Sequence, residues 1–105
     1  MIIVGLDPGL RTTGWGVIAA DGNNLHHIAN GTVTSITSAP LAERLGQIHT
    51  GICDILAEHA PDEAAVEETF VNKNPASTLL LGQARGAVML APALTGVAVS
   101  EYAAN

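Results

Sequence analysis

Cysteine is almost absent from this sequence, and the single residue of that type is Cys53. One cysteine cannot form an internal disulfide, and a lone thiol fits a reducing compartment better than an export route. A small, buried position on a helix is the ordinary role of such a residue, and we prefer it to a catalytic role. The sequence therefore excludes a disulfide framework.

Long hydrophobic runs and targeting segments are also missing. No apolar run approaches the ~20 residues that span a bilayer. The N-terminus passes from Met1 through a short apolar stretch into Gly5 and Asp7, with neither a basic flank nor a cleavage site. We therefore expect a soluble protein of the cytoplasm that has no membrane partner.

Positive charge is scarce. Ten acidic residues stand against four basic ones, which gives a formal net charge of -6. The bases are Arg11, Arg44, Lys73 and Arg85. Such a chain is at first sight a poor nucleic-acid binder. It can still act on nucleic acid if metal ions neutralise an acidic site, or if a basic surface lies on sequence outside these residues.

What the sequence does have is apolar content. Hydrophobic residues make up 48% of the 105 residues and charged residues 13%, which is far from the composition of disordered chains. This length allows one domain at most, and we assign residues 1–105 to it.

The first third of the sequence predicts three strands. Residues 2–6 form a β-branched apolar run that ends at Asp7-Pro8-Gly9, typical of a buried central strand followed by a turn. Residues 15–20 and about 25–35 read as the next two strands, and residues 21–24 have the composition of a hairpin turn. Tight connections between consecutive strands favour an antiparallel meander.

After these strands, the spacing of the apolar residues along the sequence changes to that of a helix. Apolar residues recur at intervals of three and four, at Leu41, Leu45, Ile48, Ile52 and Ile55. Ser38 is predicted to cap this helix, Pro40 suits its first turn, and Pro61 closes it. Residues 64–66 then predict a fourth strand, which ends at Glu67 and Glu68.

A second helix is predicted over residues 76–90. Asn74 and Pro75 suit its start, and Pro92 is predicted to mark its end. Gly82 and Gly86 lie on one face and each costs ~1 kcal/mol relative to alanine, so we expect a second backbone, from this sheet or from a partner chain, to approach them closely. Residues 96–101 read as a fifth strand, and residues 102–105 as the start of a further helix.

Two acidic residues at the ends of core strands are the most informative feature. Asp7 and Glu67 each follow an apolar strand, and the carboxyl ends of strands are where ligands collect in open α/β sheets. Neighbouring carboxylates either share a proton or bind a cation. Mg²⁺ prefers such oxygen ligands together with substrate phosphates, so the pattern favours phosphate chemistry.

Structural roles without any catalytic function are the alternatives for the same residues. Asp7 before Pro8 can simply start a turn. Glu68 points to the opposite face of an extended strand, so only one of the two glutamates can join Asp7, and we choose Glu67. His26 and His27 also face opposite sides and do not predict a metal site.

Several motifs along the chain together resemble one family, the RuvC resolvases of bacterial Holliday junctions. In order, they are Gly5-Leu6-Asp7-Pro8-Gly9, Arg11, Thr13-Gly14-Trp15-Gly16-Val17, Val66-Glu67, Phe70, Lys73-Asn74 and Leu81-Gly82-Gln83-Ala84-Arg85-Gly86. The first motif alone also begins actin-like and Hsp70-like ATPases, which need much longer chains of two lobes. The resemblance implies an α/β fold of the ribonuclease H type, a five-stranded mixed sheet flanked by helices, with the C-terminal helices missing.

The resemblance also assigns roles to individual residues. Asp7 and Glu67 match two of four catalytic, metal-binding carboxylates, and Phe70 matches an aromatic residue that enters the junction and stacks on bases. Lys73 lies in the same loop and would contact DNA. The other candidate site residues are Arg11 for a phosphate contact, Arg85 for DNA or dimer contact, and Gly82 and Gly86 for the dimer interface. Arg11 can equally be a solvated turn residue, Arg85 can form a helix-surface ion pair, and Phe70 can fill the core.

The intact enzyme implied by the resemblance is a homodimer that binds a four-way DNA junction and makes paired nicks with two Mg²⁺ ions at each site. A branch-migration helicase complex is a further implied partner. The two remaining carboxylates of the family lie on a C-terminal helix beyond Asn105, so we interpret the chain as an N-terminal portion that is inactive or nearly so by itself. A non-catalytic DNA-binding or assembly module of the same fold, and a related nuclease with another substrate, are the alternatives.

Overall fold

A computed structural model describes residues 1–68 and 74–103 of the chain. Its elements are, in order, β1 (Ile2–Asp7), β2 (Thr12–Asp21), β3 (Asn24–Thr34), α1 (Leu41–His59), β4 (Glu63–Glu67), α2 (Pro75–Leu94) and β5 (Ala98–Tyr102). The five strands form one sheet in the order β3-β2-β1-β4-β5. β1, β2 and β3 pair antiparallel, whereas β4 lies parallel to β1 and β5 parallel to β4. This confirms the predicted mixed sheet of the ribonuclease H type.

The core lies between one face of the sheet and both helices. Val4 and Leu6 of the central strand are fully buried, and they belong to one apolar cluster with Ile48 of α1 and Val88 of α2. Since α1 and α2 share this cluster, the described part of the chain places both helices on the same face. The other face, which carries Gly5 and Asp7, is left without a helix from these residues.

Two strand predictions were too short at one end. β2 begins at Thr12 rather than Trp15, because Thr12 and Thr13 continue the ladder opposite Thr34 and Val33. β5 includes Tyr102, which pairs with Glu67, so Tyr102 ends a strand instead of starting a helix. Residues 104 and 105 lie outside the described residues.

The helix ends also differ from prediction. Pro40, not Ser38, occupies the N-cap of α1, and no side chain caps it. α2 continues through Pro92 to Leu94, so Pro92 does not end it. Proline lacks the N–H that would bond to the carbonyl one turn back, so α2 has one hydrogen bond fewer at Pro92, whose side chain is fully buried. The Thr95 hydroxyl donates to the carbonyls of Ala91 and Pro92, at 3.1 Å each, which satisfies that last turn.

Neither α1 nor α2 is long and apolar enough to cross a membrane, and these are the helices of the described residues.

Candidate active site

Asp7 lies at the end of the central strand, next to the most rigid part of the molecule. Leu6, directly before it, is fully buried and is paired on both sides, with Trp15 of β2 and Val66 of β4. Asp7 itself is exposed and pairs with Gly14. Glycine leaves the space beside the carboxylate open, because a Cβ added at Gly14 would lie 3.7 Å from the Asp7 Cβ. The core therefore fixes the backbone of Asp7 while its carboxylate faces solvent.

The turn that follows Asp7 is held by a buried hydroxyl. Thr13 Oγ1 accepts from the Gly9 N–H at 3.2 Å and donates to the Gly9 carbonyl at 2.8 Å. A Cβ on Gly9 would lie 2.3 Å from the Thr12 carbonyl oxygen, so only glycine fits this turn. The Asp7-Pro8-Gly9 segment therefore has a defined path away from the strand.

Glu67 ends β4 at the same edge of the sheet. Leu6 and Val66 are register partners, so the next residue of each parallel strand, Asp7 and Glu67, reaches the same level. A side-chain hydrogen bond with Asp7 and repulsion by its charge raise the pKa of Glu67 above its ordinary value, with a smaller contribution from burial. A hydrogen bond between two carboxyl groups requires a shared proton. The structure thus brings the two predicted carboxylates together in an arrangement that holds either a proton or a cation.

Glu68 is not part of this pair. Its side chain is exposed, and its backbone N–H donates to the Tyr102 carbonyl at 2.7 Å. The choice of Glu67 over Glu68 by strand alternation therefore agrees with the geometry.

Tyr102 is the residue of the site that sequence reasoning missed. The sequence predicted residue 102 at the start of a helix, but Tyr102 ends β5, 44% of its surface is exposed, and it lines the groove beside Asp7. Burial of its hydroxyl and the charges of Glu67 and Asp7 raise the pKa of the Tyr102 phenol, so this group remains a proton donor at neutral pH. The sequence offered no local signal for this role, because the role depends on the register of β5 against β4, in which Tyr102 pairs with Glu67.

An open groove of about 540 Å³ runs across the helix-free face of the sheet from the carboxylates. Tyr102 and Asp7 lie at one end, and Asn30 and Thr32 of β3 line the other. Between them the lining includes Gly5, Gly14 and Gly16, which add no side chains. An extended ligand can therefore lie close to the backbone here.

The predicted DNA-contact residues fall into three groups. Arg11 is exposed, and its carbonyl accepts from the Ser35 N–H at 3.2 Å, in the connection that leaves the Asp7 end of β1. Arg85 lies on α2 and pairs with Glu101 of β5, so its ion pair reaches from helix to strand instead of along the helix surface. Phe70 and Lys73 lie outside the described residues, and the structure places neither.

Gly82 and Gly86 are exposed on α2, and a Cβ at either position would meet no atom within 4 Å in the described structure. The sheet of this chain therefore does not approach them. Leu79 and Leu90 continue the same face at helical spacing and are exposed to 63% and 49%.

The donor set at the strand ends fits a divalent cation of the hard, oxygen-binding type, because two carboxylates meet there and repel each other. Within residues 1–68 and 74–103, no group of three or more His, Cys, Asp or Glu side chains could enclose a metal. The two carboxylates thus provide part of a coordination shell.

Similarity to known proteins extends along nearly the whole chain. The model of the family described as crossover junction endodeoxyribonuclease RuvC matches residues 3–105. The chain belongs to this family. A RuvC of Azorhizobium caulinodans is 65% identical over 101 residues, which cover 96% of the chain and 60% of that protein. A RuvC of Paramagnetospirillum magneticum is 64% identical over 105 residues, with coverage of 100% and 63%.

A solved RuvC structure has the same fold. The Thermus thermophilus protein, in complex with a Holliday junction substrate, superposes with a TM-score of 0.89 at 31% identity, over 99% of this chain and 66% of that one. The chain spans about 60% of the length of the curated RuvC relatives it matches.

Proposed function

We propose that the whole protein is a structure-specific endonuclease that resolves four-way DNA junctions by paired, metal-dependent nicks during recombination and repair. The observation that carries this proposal is the meeting of Asp7 and Glu67 at adjacent strand ends, in a chain of the RuvC family. The Thermus thermophilus relative, solved with a Holliday junction substrate, supports the choice of substrate.

Asp7 and Glu67 are the residues that would hold the metal, and Mg²⁺ is the ion we propose. Divalent ions bound there would supply an activated water for attack on the phosphodiester and stabilise the leaving oxygen. The chain's own contribution is to fix the two carboxylates at strand ends and to keep the space beside Asp7 free of side chains. Protonation of the pair competes with cation binding, because the proton that the carboxyls share occupies the same oxygens.

Contacts to the DNA remain proposals for four residues. Arg11 is exposed beyond the end of β1 and is available to bind a phosphate. Phe70 and Lys73, which precede Asn74 in the sequence by four residues and one residue, would stack on bases and contact the DNA backbone. Arg85 is the weakest of the four, because its guanidinium already pairs with Glu101.

A second copy of the chain is the partner we propose for the exposed face of α2. Gly82 and Gly86 leave open space, Leu79 and Leu90 flank them, and a groove of about 330 Å³ adjoins Gly86 and Leu90. We expect Gly86→Ala to stabilise the helix of the monomer by about 1 kcal/mol and to weaken self-association. Analytical ultracentrifugation measures the self-association of Gly86→Ala and of the wild type. Equal self-association of the two proteins would contradict the proposal. A branch-migration helicase partner rests on the family resemblance alone. The proposed cytoplasmic location rests on the lone cysteine, Cys53, which fits a reducing compartment.

The experiment that tests the function compares four-way junctions with duplex DNA of the same sequence. The full-length protein is expected to bind the junction selectively and to nick two of its strands when Mg²⁺ is present. Residues 1–105 alone are expected to cleave little or not at all, because they hold two of the four carboxylates that the family resemblance implies. Equal binding of junction and duplex, or no nicking by the full-length protein, would contradict the proposal.

A non-catalytic binding or assembly module is the second candidate. Such a module would keep the fold and the exposed face of α2 without the cleavage chemistry. Selective junction binding without cleavage by the full-length protein would support it.

A further inference from the structure

Arg85 is placed where it can act on the carboxylate site without touching DNA. Its side chain is 19% exposed, and its Nη2–H donates to Oε1 of Glu101 on β5. A second guanidinium nitrogen, Nη1, lies 3.1 Å from the Met89 sulfur, one turn along α2. The guanidinium is thus held on the inner side of α2, against the last strand of the sheet.

The end of β5 connects this ion pair to the carboxylates. Glu101 is the register partner of the buried Val66 and faces the helices, whereas the next residue, Tyr102, is the partner of Glu67 and lies on the open face. The Tyr102 carbonyl accepts from the Glu68 N–H at 2.7 Å, directly after Glu67. One strand end is therefore tied to α2 through the Glu101 side chain and bonded to the segment after Glu67 through its backbone.

This strand end has little other support. β5 has five residues and is an edge strand that pairs only with β4 in the described sheet. Residues 98, 100, 101 and 102 are exposed, so few apolar contacts fix the end of the strand. An ion pair from a long helix is the kind of contact that can limit the movement of such an end.

We propose that Arg85 is a positioning residue, which acts through Glu101 to hold the end of β5 and thereby the placement of Tyr102 and Glu67 beside Asp7. This inference rests on the proposed nuclease function. It replaces a DNA contact as the role of Arg85, because a guanidinium paired with Glu101 and largely covered is poorly placed to take a phosphate.

The test uses the full-length protein and the variants Arg85→Gln, Glu101→Gln and the double variant. Each single change is expected to slow single-turnover junction cleavage by about tenfold or more, since small misplacements of reacting groups are costly. The double variant is expected to be no slower than either single variant, because both remove the same contact. The cleavage rates are measured at saturating protein. In a separate binding titration, the affinity for the junction is expected to change less than about twofold.

A second readout does not depend on cleavage. Hydrogen exchange of the Glu68 amide, measured without metal, is expected to be faster in both single variants than in the wild-type protein. Glu58→Gln serves as the control, because Glu58 lies at the end of α1 and its Oε2 is 3.8 Å from Nε2 of His59, outside β5 and its contacts. That variant is expected to cleave normally and to keep slow exchange at Glu68.

Several results would overturn the proposal. If Arg85→Gln alone weakens junction binding, with a salt dependence reduced by about one charge while Glu101→Gln binds normally, Arg85 contacts phosphate. If neither variant changes cleavage or Glu68 exchange, the ion pair has no positioning role. Should Arg85→Gln fail to fold, Glu101→Gln still decides, because its side chain is 48% exposed. Absence of cleavage by the wild-type protein would instead count against the proposed function, and the exchange readout would still test the positioning.

Discussion

The two ends of the β1–β4 strand pair each carry acidic side chains, which have different roles at the two ends. At the starting end, Asp62 Oδ2 accepts from the Ile2 N–H at 2.7 Å, and the Asp62 N–H donates to the Ile2 carbonyl at 2.8 Å. At the finishing end, Asp7 and Glu67 face each other, and the contact raises the pKa of Glu67. One carboxylate completes the backbone hydrogen bonding of the sheet, and the other two compete for a single proton.

The difference shows how a structural carboxylate can be told from a functional one. A carboxylate that accepts a hydrogen bond from a backbone N–H stabilises the fold. Two carboxylates placed against each other destabilise the metal-free protein, so their presence points to a bound cation and to function.

Replacement of Asp7 by Asn in the full-length protein is expected to lower junction cleavage by about 10²-fold or more, because the metal loses a charged ligand and is misplaced. Junction affinity without metal is expected to stay unchanged or to rise slightly, since a negative charge is removed. Gel-based cleavage and binding assays measure both. Asp62→Asn at the other end is the matched control and is expected to cleave normally. Equal loss of cleavage in Asp7→Asn and Asp62→Asn would contradict the assignment of a functional role to Asp7 and a structural role to Asp62.

Lower pH is expected to weaken the binding of Mg²⁺ at the site. Because Asp7 raises the pKa of Glu67, the pair takes up a proton at a higher pH than an ordinary glutamate does. The Mg²⁺ concentration for half-maximal cleavage is therefore expected to increase as the pH falls from neutral towards the ordinary glutamate range. A concentration that does not change across this range would show that the two carboxylates do not share a proton.

Replacement of Asp62 by Ala is expected to reduce the free energy of unfolding by about 1 to 2 kcal/mol, because the Ile2 N–H loses a charged acceptor. Asp62→Asn retains a side-chain oxygen and is expected to lose less. Denaturant unfolding measures the two values. A loss as large in Asp62→Asn as in Asp62→Ala would mean that the charge, and not the hydrogen bond, stabilises this end.

Replacement of Glu67 by Gln is expected to increase the free energy of unfolding at neutral pH, whereas replacement of Asp62 by Ala decreases it. A carboxyl whose pKa is raised by folding stabilises the protein below the ordinary glutamate pKa, and this contribution is lost as the pH rises through the raised value. Metal-free Glu67→Gln is therefore expected to be more stable than the wild type at neutral pH. The difference in the free energy of unfolding between the variant and the wild type is expected to disappear at acid pH. Lower stability of Glu67→Gln at neutral pH would show that the repulsion is not significant.

The sequence indicated much of this arrangement because its strongest signals are local. The β-branched run before Asp7 and the alternation before Glu67 placed both carboxylates at strand ends. Helix ends were less predictable, since Pro92 is compatible with a last half turn that Thr95 completes. Tyr102 and the Arg85–Glu101 pair depend on the register of β5 against β4 and on the packing of α2, which join residues far apart in sequence. No local pattern encodes such contacts.

Calorimetric titration of metal-free full-length protein with Mn²⁺ tests the central claim most directly. The claim is that Asp7 and Glu67 act as one cation-binding unit. The wild type and Asp62→Asn are expected to bind with the same affinity, and Glu67→Gln to bind at least about tenfold more weakly. Equal affinity of Glu67→Gln and the wild type would contradict the account, because the cation would then be held elsewhere.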